Sequence, residues 1–378
     1  MTRILTVEDI DDIAIGAGIL GTGGGGDPLI GRLLVQKAIR DGLTVTVVHP
    51  DEVPDEACVI ASAMMGAPTV VVEKLPAGEE ALNSLRALET RIGKTADFII
   101  PMEIGGLNSM IPLLAAAQAG IPVVDGDGMG RAFPELQMET FGVYGVPGSP
   151  LVVSDANGDH VVVETGDDNV RMESFARAVT IRMGGAAYIA EYPMSGADVK
   201  RTAVAGTLGL AQSFGAAVRE ANQAHSDPIA AIASVVQDSI YGYAHVIATG
   251  KVTDVQRQVV DGFSSGTLKI AVFGAEDELV IDFRNENIIA RMVDPAGHSE
   301  VVGVVPDLIC VLDSDSGEAI TTESTRYGQR VTVLGISTPE IMRTPEALKV
   351  WGPRCFGLDH DWTPLEQLAA PKQAAPAP

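Results

Sequence analysis

The chain has 378 residues, enough for two domains, and with 46% hydrophobic and 20% charged residues it has the means to bury a sizeable core, which excludes a wholly disordered protein. A formal net charge of −24 repels phosphate backbones and anionic headgroups, and no Lys/Arg cluster interleaved with aromatics reverses this locally, so neither nucleic acid nor a membrane is an expected partner. Cys58, Cys310 and Cys355 lie far apart without CxxC spacing, which argues against a disulfide framework and a cysteine-built zinc site.

The opening MTRILTVEDIDDIAIG is too acidic for a signal peptide, and no apolar run is long enough to span a bilayer, so a soluble cytoplasmic protein is expected. Thr6 with Glu8 and Asp9 predicts a helix start, and Val7, Ile10, Ile13 and Ile19 then recur at helical spacing. That helix stops in GTGGGGDP, residues 21–28. Asp27 and Pro28 predict the start of a second helix with Leu29, Leu33 and Leu34 on its apolar face.

Short apolar runs follow: TVTVVHP, ACVIASAMMG, PTVVVEKL, DFIIPMEIGG and IPVVDGDGMG, with helical stretches around 78–92 and 107–119. Strands apolar on both faces and alternating with helices predict an α/β fold, its N-terminal sheet mainly parallel and covered on both sides. LVVSDANGDHVVVE predicts a hairpin turning at Asn157-Gly158, and the domain boundary is placed after it, giving an N-terminal domain over 1–165. A mixed C-terminal domain, 166–367, is expected to begin with helices and to become β-rich from about residue 265. Residues 368–378 read as a disordered tail.

Three glycine-rich segments carry the candidate chemistry. Gly21-Thr22-Gly23-Gly24-Gly25-Gly26 formally matches GxGxxG, but a helix precedes it where a dinucleotide site needs a strand, and no Lys-Ser/Thr follows for a phosphate loop. A run of four glycines, Gly23 to Gly26, suits a loop whose amides approach a ligand or another segment, with Thr22 and Asp27 as the side chains it presents; a purely structural turn is the alternative. In PMEIGGLNS, Glu103 leaves a buried strand, the position that faces the ligand crevice of open α/β sheets, and is read as a general base or metal ligand, or else as a helix cap. In IPVVDGDGMGRAFPELQM, Asp125 and Asp127 follow another strand. If the segment from Met129 is helical, Arg131 and Glu135 share a face and pair. Closely placed carboxylates favour a bound cation or a raised pKa. The histidines are scattered; His245, among apolar residues, is expected to be buried. Lys200 stands at a helix start, as a substrate-carboxylate anchor or a plain surface lysine.

GAGILGTGGGGDP, PMEIGGLNS and DGDGMGRAFPELQM, in that order, resemble the N-terminal domain of the S-methyl thiohydantoin desulfurase family. SGADVKRTAVAGTL, GKVTDVQRQVVDGFSSGTLKI, FRNENIIA, PDLICVLD and RYGQRVTVLGI resemble its C-terminal domain, so the resemblance runs to about residue 365. It implies water-driven removal of sulfur from a thiohydantoin-type ring, with a divalent metal ion in related enzymes and no ligands assigned here. Carried over by motif, the catalytic candidates are Glu103, Asp125, Asp127 and Glu135. The substrate-binding candidates are Gly23, Gly24, Gly25, Gly26, Asp27, Asn108, Arg131, Lys200 and Glu286. Hydrolysis of an unsulfurated hydantoin or lactam ring is the first alternative. The second is a non-catalytic subunit of a hydantoinase-like partner; a homo-oligomer is also open.

Overall fold

The computed structural model describes residues 2–66, 70, 76–260 and 263–370. Helix α1, Val7–Leu20, starts at a capping box in which Thr6 and Asp9 satisfy each other's backbone N–H, as the sequence predicts. It ends at Gly21, and after the glycine loop α2 runs over Leu29–Arg40, its first amide, on Leu29, held by Asp27 Oδ1 at 2.8 Å. The expected apolar face is displaced: Leu29 and Leu33 are 43% and 50% exposed, and α2 instead buries Gly31, Val35 and Ala38.

Among the described residues, eight strands form the first sheet. From one edge they are β1 (Arg3–Ile4), β2 (Thr46–Val48), β5 (Val123–Val124), β4 (Phe98–Pro101), β3 (Cys58–Gly66), β9 (Ala186–Ser195), β7 (Leu151–Ser154) and β8 (His160–Val163). The central pairs β2–β5, β5–β4 and β4–β3 are parallel, and the remaining pairs are antiparallel. Strand β3 shows both faces buried: Ile60 and Met64 pack into one core, and Val59, Ala61, Ala63 and Met65 into another. Helices α3 (Glu80–Ile92) and α4 (Ile111–Ala119) fall where the periodicity placed them. The short α5, Thr140–Val143, follows the third glycine motif. The expected strand PTVVVEKL falls almost wholly outside the described residues, as do the last eight residues of the predicted tail.

The second half of the chain is not confined to a second layer. After α6 (Asn169–Arg182), β9 returns to the first sheet and pairs with both β3 and β7. The stretch SGADVKRTAVAGTLGLAQSFGAAVREANQ, part of the helical start expected for the second half, is divided into α7 (Gly196–Thr202), the short β10 (Val204–Ala205) and α8 (Thr207–Ala224). Strand β10 pairs with β6, Gly126–Asp127, which fastens the third glycine motif to the second half. Helices α1 and α8 cross at Gly16 and Gly215, where a Cβ would lie 1.9 Å from a backbone oxygen of the other helix. Helix α9, Pro228–Gln237, then leads to an antiparallel sheet of seven strands. These are β11 (Ala244–Val260), β12 (Phe263–Val272), β13 (Glu278–Arg284), β14 (Glu286–Val293), β15 (Ser299–Val304), β16 (Leu308–Asp313) and β17 (Arg330–Ile336). It begins some twenty residues earlier than the sequence predicts, because β11 mixes polar residues with only short apolar runs, such as residues 246–248. His245 lies on this strand and is exposed, which corrects the expectation of a buried histidine. No helix among the described residues is long and apolar enough to cross a membrane.

Candidate active site

The glycine loop is held between the two halves of the chain. Thr22, at a positive φ of 46°, turns its hydroxyl inward, donating to Ile309 O and accepting from Ile309 N, both at 3.0 Å. Its own carbonyl accepts from Asn287 N at 2.9 Å, and Gly23 O accepts from Thr322 N at 2.8 Å. On the other side Gly25 O accepts from Leu107 N, so the loop packs directly on the Gly105-Gly106 pair of the second motif. The lack of side chains is a packing requirement. A Cβ on Gly24 would sit 2.0 Å from Glu286 Oε1, and one on Gly106 would sit 2.2 Å from Gly26 O.

Gly25, Glu103, Asn108, Glu135 and Glu286 line one half-enclosed cavity of about 50 Å3, together with Met64, Phe133 and Arg177. That volume admits about three to five waters, or a small planar ring displacing them. Glu103 follows β4 and is buried. Its Oε1 accepts from Asn108 Nδ2 at 2.7 Å and its Oε2 from Phe133 N at 3.3 Å. Asn108 is itself fixed by donating to Met64 O and accepting from Met64 N. Burial pushes the Glu103 carboxyl up to about 8, against the pull of these donors. Glu286, at the start of β14, is buried beside Gly24 and keeps Oε2 without a partner; burial, and then the Glu103 charge, hold its pKa well above the usual carboxylate range.

The remaining candidates are placed differently. Asp127 is buried, and its Oδ2 accepts from Ile104 N, Met129 N and Gly130 N at 3.0, 3.0 and 2.7 Å. It ties the end of β4 to the loop after β6, away from the cavity wall, and burial raises its pKa to about 7. Asp125 accepts from Gly209 N in the first turn of α8 and faces Arg3, outside the cavity. Asp27 is exposed and serves α2, while Lys200 pairs with Asp55 at 2.6 Å. The segment from Met129 is not helical, so the expected Arg131–Glu135 pair does not form. Glu135 pairs with Arg284 at the cavity rim. Arg131 is completely buried, donates to the carbonyls of Ala132, Asn287, Pro306 and Asp307, and has its pKa brought down to about 10 by burial. It joins the third motif to β14 and the turn before β16.

One facing pair of buried carboxyls escaped the sequence reading. Glu139, before α5, and Glu191, on β9, face each other, and both pKa values are held well up by burial, that of Glu139 also by the Glu191 charge. A lone Glu in the apolar strand AAYIAEYPMS was the available signal for Glu191. For a divalent metal, Glu103 and Asp127 already spend oxygens on amide and backbone donors, while Asp127 Oδ1 and Glu286 Oε2 have no partner. Among the described residues, no group of three or more His, Cys, Asp or Glu is arranged to hold one.

The fold and cavity define a two-part α/β protein whose halves close over a site walled by buried carboxyls. Residues 8–165 match the model of the S-Me-THD-like N-terminal domain and residues 167–365 that of the S-Me-THD-like C-terminal domain, so the chain belongs to that family, the S-methyl thiohydantoin desulfurase family its motifs resemble. No curated protein matches the chain. Of solved structures, an X-ray crystal structure of a protein from Chromobacterium violaceum is similar, with a TM-score of 0.81 and 21% identity over 96% of this chain and 100% of that one. At that identity the likeness bears on the fold.

Proposed function

We propose that the chain hydrolyses the carbon–sulfur bond of a thiohydantoin or S-methyl thiohydantoin-type ring held against Glu103 and Glu286. The observation that carries this reading is the pair itself: two buried carboxyls on one cavity, both with raised pKa values. Like charges confined together cannot both ionise, so one member keeps its proton while the other gives its proton up. Glu103, whose ionised form the Asn108 and Phe133 donors favour, takes a proton from water as the water oxygen bonds to the ring carbon that carries sulfur. The π pair of the ring C=N bond moves to nitrogen on attack; the hydroxyl proton then passes to that nitrogen as a C=O bond forms, the C–S bond breaks, and the sulfur leaves with the proton of Glu286. Ring plus water gives the oxo ring plus methanethiol, or hydrogen sulfide where the sulfur is unmethylated, and the two carboxyls exchange one proton to reset. The amide of Gly25, the loop glycine on the cavity wall, can approach the charge that develops on the ring. Family membership supports the substrate class.

Methanethiol release from an S-methyl thiohydantoin, beside ring opening of the matching hydantoin, tests the reading. Release by the purified chain, with the oxo ring untouched, is expected. Ring opening without release would assign the cavity to hydantoin hydrolysis instead.

A further inference from the structure

Helix α6, NVRMESFARAVTIR, is buried along one side, where Met172 and Ala176 sink into the core against the first sheet. The opposite side carries Val170, Phe175 and Ile181, which are 65%, 44% and 56% exposed. Three large apolar side chains on one open helix face keep water ordered that a covering surface would release. The face widens toward the sheet edge, because Val161 of the edge strand β8 shares an open groove with Ala178 and Val179.

Charge decides what fits there. The chain carries −24 overall, so acidic surfaces repel one another except where cations gather. On α6 Arg177 is paired with Glu173, but Arg171 only lies over the Phe175 ring, 5.2 Å from its centroid. Arg182, at the last turn and exposed, has no ion pair or hydrogen bond among the described residues. At the other end Asp167 and Asp168 are exposed, and Asp168 caps the helix by accepting from Arg171 N at its Oδ1, which leaves Oδ2 for another partner. The helix thus ends in an acidic pair at its start and an uncompensated cation at its finish, an arrangement complementary to itself when turned end for end.

We propose that a second copy of this chain covers this face, the two α6 helices lying antiparallel across a two-fold axis at Phe175. Seven positions separate Phe175 from Asp168 and from Arg182, so Arg182 of each copy meets Asp168 of the other while the Phe175 rings meet at the centre. Val170 of each copy falls beside Ile181 of the other, and the antiparallel helix dipoles add to the attraction. A helix of 14 residues is about 21 Å long, which puts the contact at the small end of specific interfaces and the dimer in micromolar exchange with monomer.

Sedimentation of the full chain from about 1 to 100 µM tests this, and the wild type is expected to pass from monomer to dimer over that range. Phe175→Asp, which sets two like charges on the axis, is expected to stay monomeric. Arg182→Glu is expected to weaken association by about tenfold or more, and Asp168→Asn, which keeps the helix cap, to restore part of that loss when added to it. Arg40→Glu makes the same charge change on α2 and is expected to leave association within about twofold. All four positions are exposed, and thermal melting confirms that each variant folds. A wild type monomeric to about 100 µM, or a dimer unmoved by either Phe175→Asp or Arg182→Glu, overturns the inference. An equal loss in Arg40→Glu overturns the charge pairing. A monomeric chain that floats with phosphatidylserine vesicles, and no longer does so as Phe175→Asp, gives the face to a membrane and overturns it too.

Discussion

Strands β4 and β5 are neighbours in the first sheet, and each runs at its C-terminal end into a glycine-rich turn bearing carboxylates. After β4, Glu103 meets one amide of Asn108 and one backbone N–H, and lines the cavity with a carboxyl that burial holds near pKa 8. After β5, Asp125 meets one amide in the first turn of α8 and the Arg3 guanidinium, and Asp127 meets three backbone amides around the next loop. Position at a strand end is therefore shared, while the local supply of N–H groups separates the uses. A carboxylate surrounded by amides becomes a clamp; one left with a single side-chain donor beside a cavity stays available for proton transfer.

Substitutions at the two turns should break along this line. Glu103→Gln preserves size and the Asn108 contact but removes the titrating proton, so methanethiol release should fall by about 100-fold or more with little loss of thermal stability. Unchanged turnover would remove Glu103 from the chemistry. Asp127→Ala should leave three buried N–H groups unpaired and cost on the order of 3 kcal/mol, at about 1 kcal/mol per bond, measured by urea unfolding. Asp127→Asn, which retains an acceptor, should keep turnover within about threefold, a result incompatible with a catalytic Asp127. Gly24→Ala tests the approach of the loop to Glu286, and the displaced carboxyl should lower turnover while the overpacking costs about 1–3 kcal/mol.

A further expected effect is on the pH dependence of stability. Glu103 and Asp127 have folded pKa values of about 8 and about 7, above their ordinary values of 4.5 and 3.8. The native state therefore holds protons that the unfolded chain has already released. Their contribution is fully present below about pH 4 and is lost as pH rises through about 7 and then about 8. Unfolding free energy should decline over this window in the wild type and decline less in Glu103→Gln and Asp127→Asn, as followed by urea unfolding from pH 5 to 9.

Much of the site was legible because its constraints are local. Four adjacent glycines demand a close approach, and Glu103 stands where a buried strand ends. Asp125 and Asp127 sent the same signal, and only the three-dimensional placement of amides from α8 and from residues 104, 129 and 130 distinguishes them from Glu103. Arg131 reads as a helical partner of Glu135 and a substrate-binding candidate because GRAFPEL carries no sign of the carbonyls of residues 287, 306 and 307 that it meets. Arg177 resembled any arginine on an amphipathic helix. Strand β9 was missed because the chain returns to the first sheet only after a helix, a long-range pairing that no local pattern announces.

The account rests on Glu103 and Glu286 sharing a cavity in which at least one is a neutral acid at pH 7. Infrared difference spectroscopy of the protonated carboxyl C=O stretch, wild type minus Glu103→Gln and wild type minus Glu286→Gln, reads this directly. Loss of a protonated-carboxyl band in at least the Glu286 difference is predicted. Two differences showing only ionised carboxylate bands would contradict it.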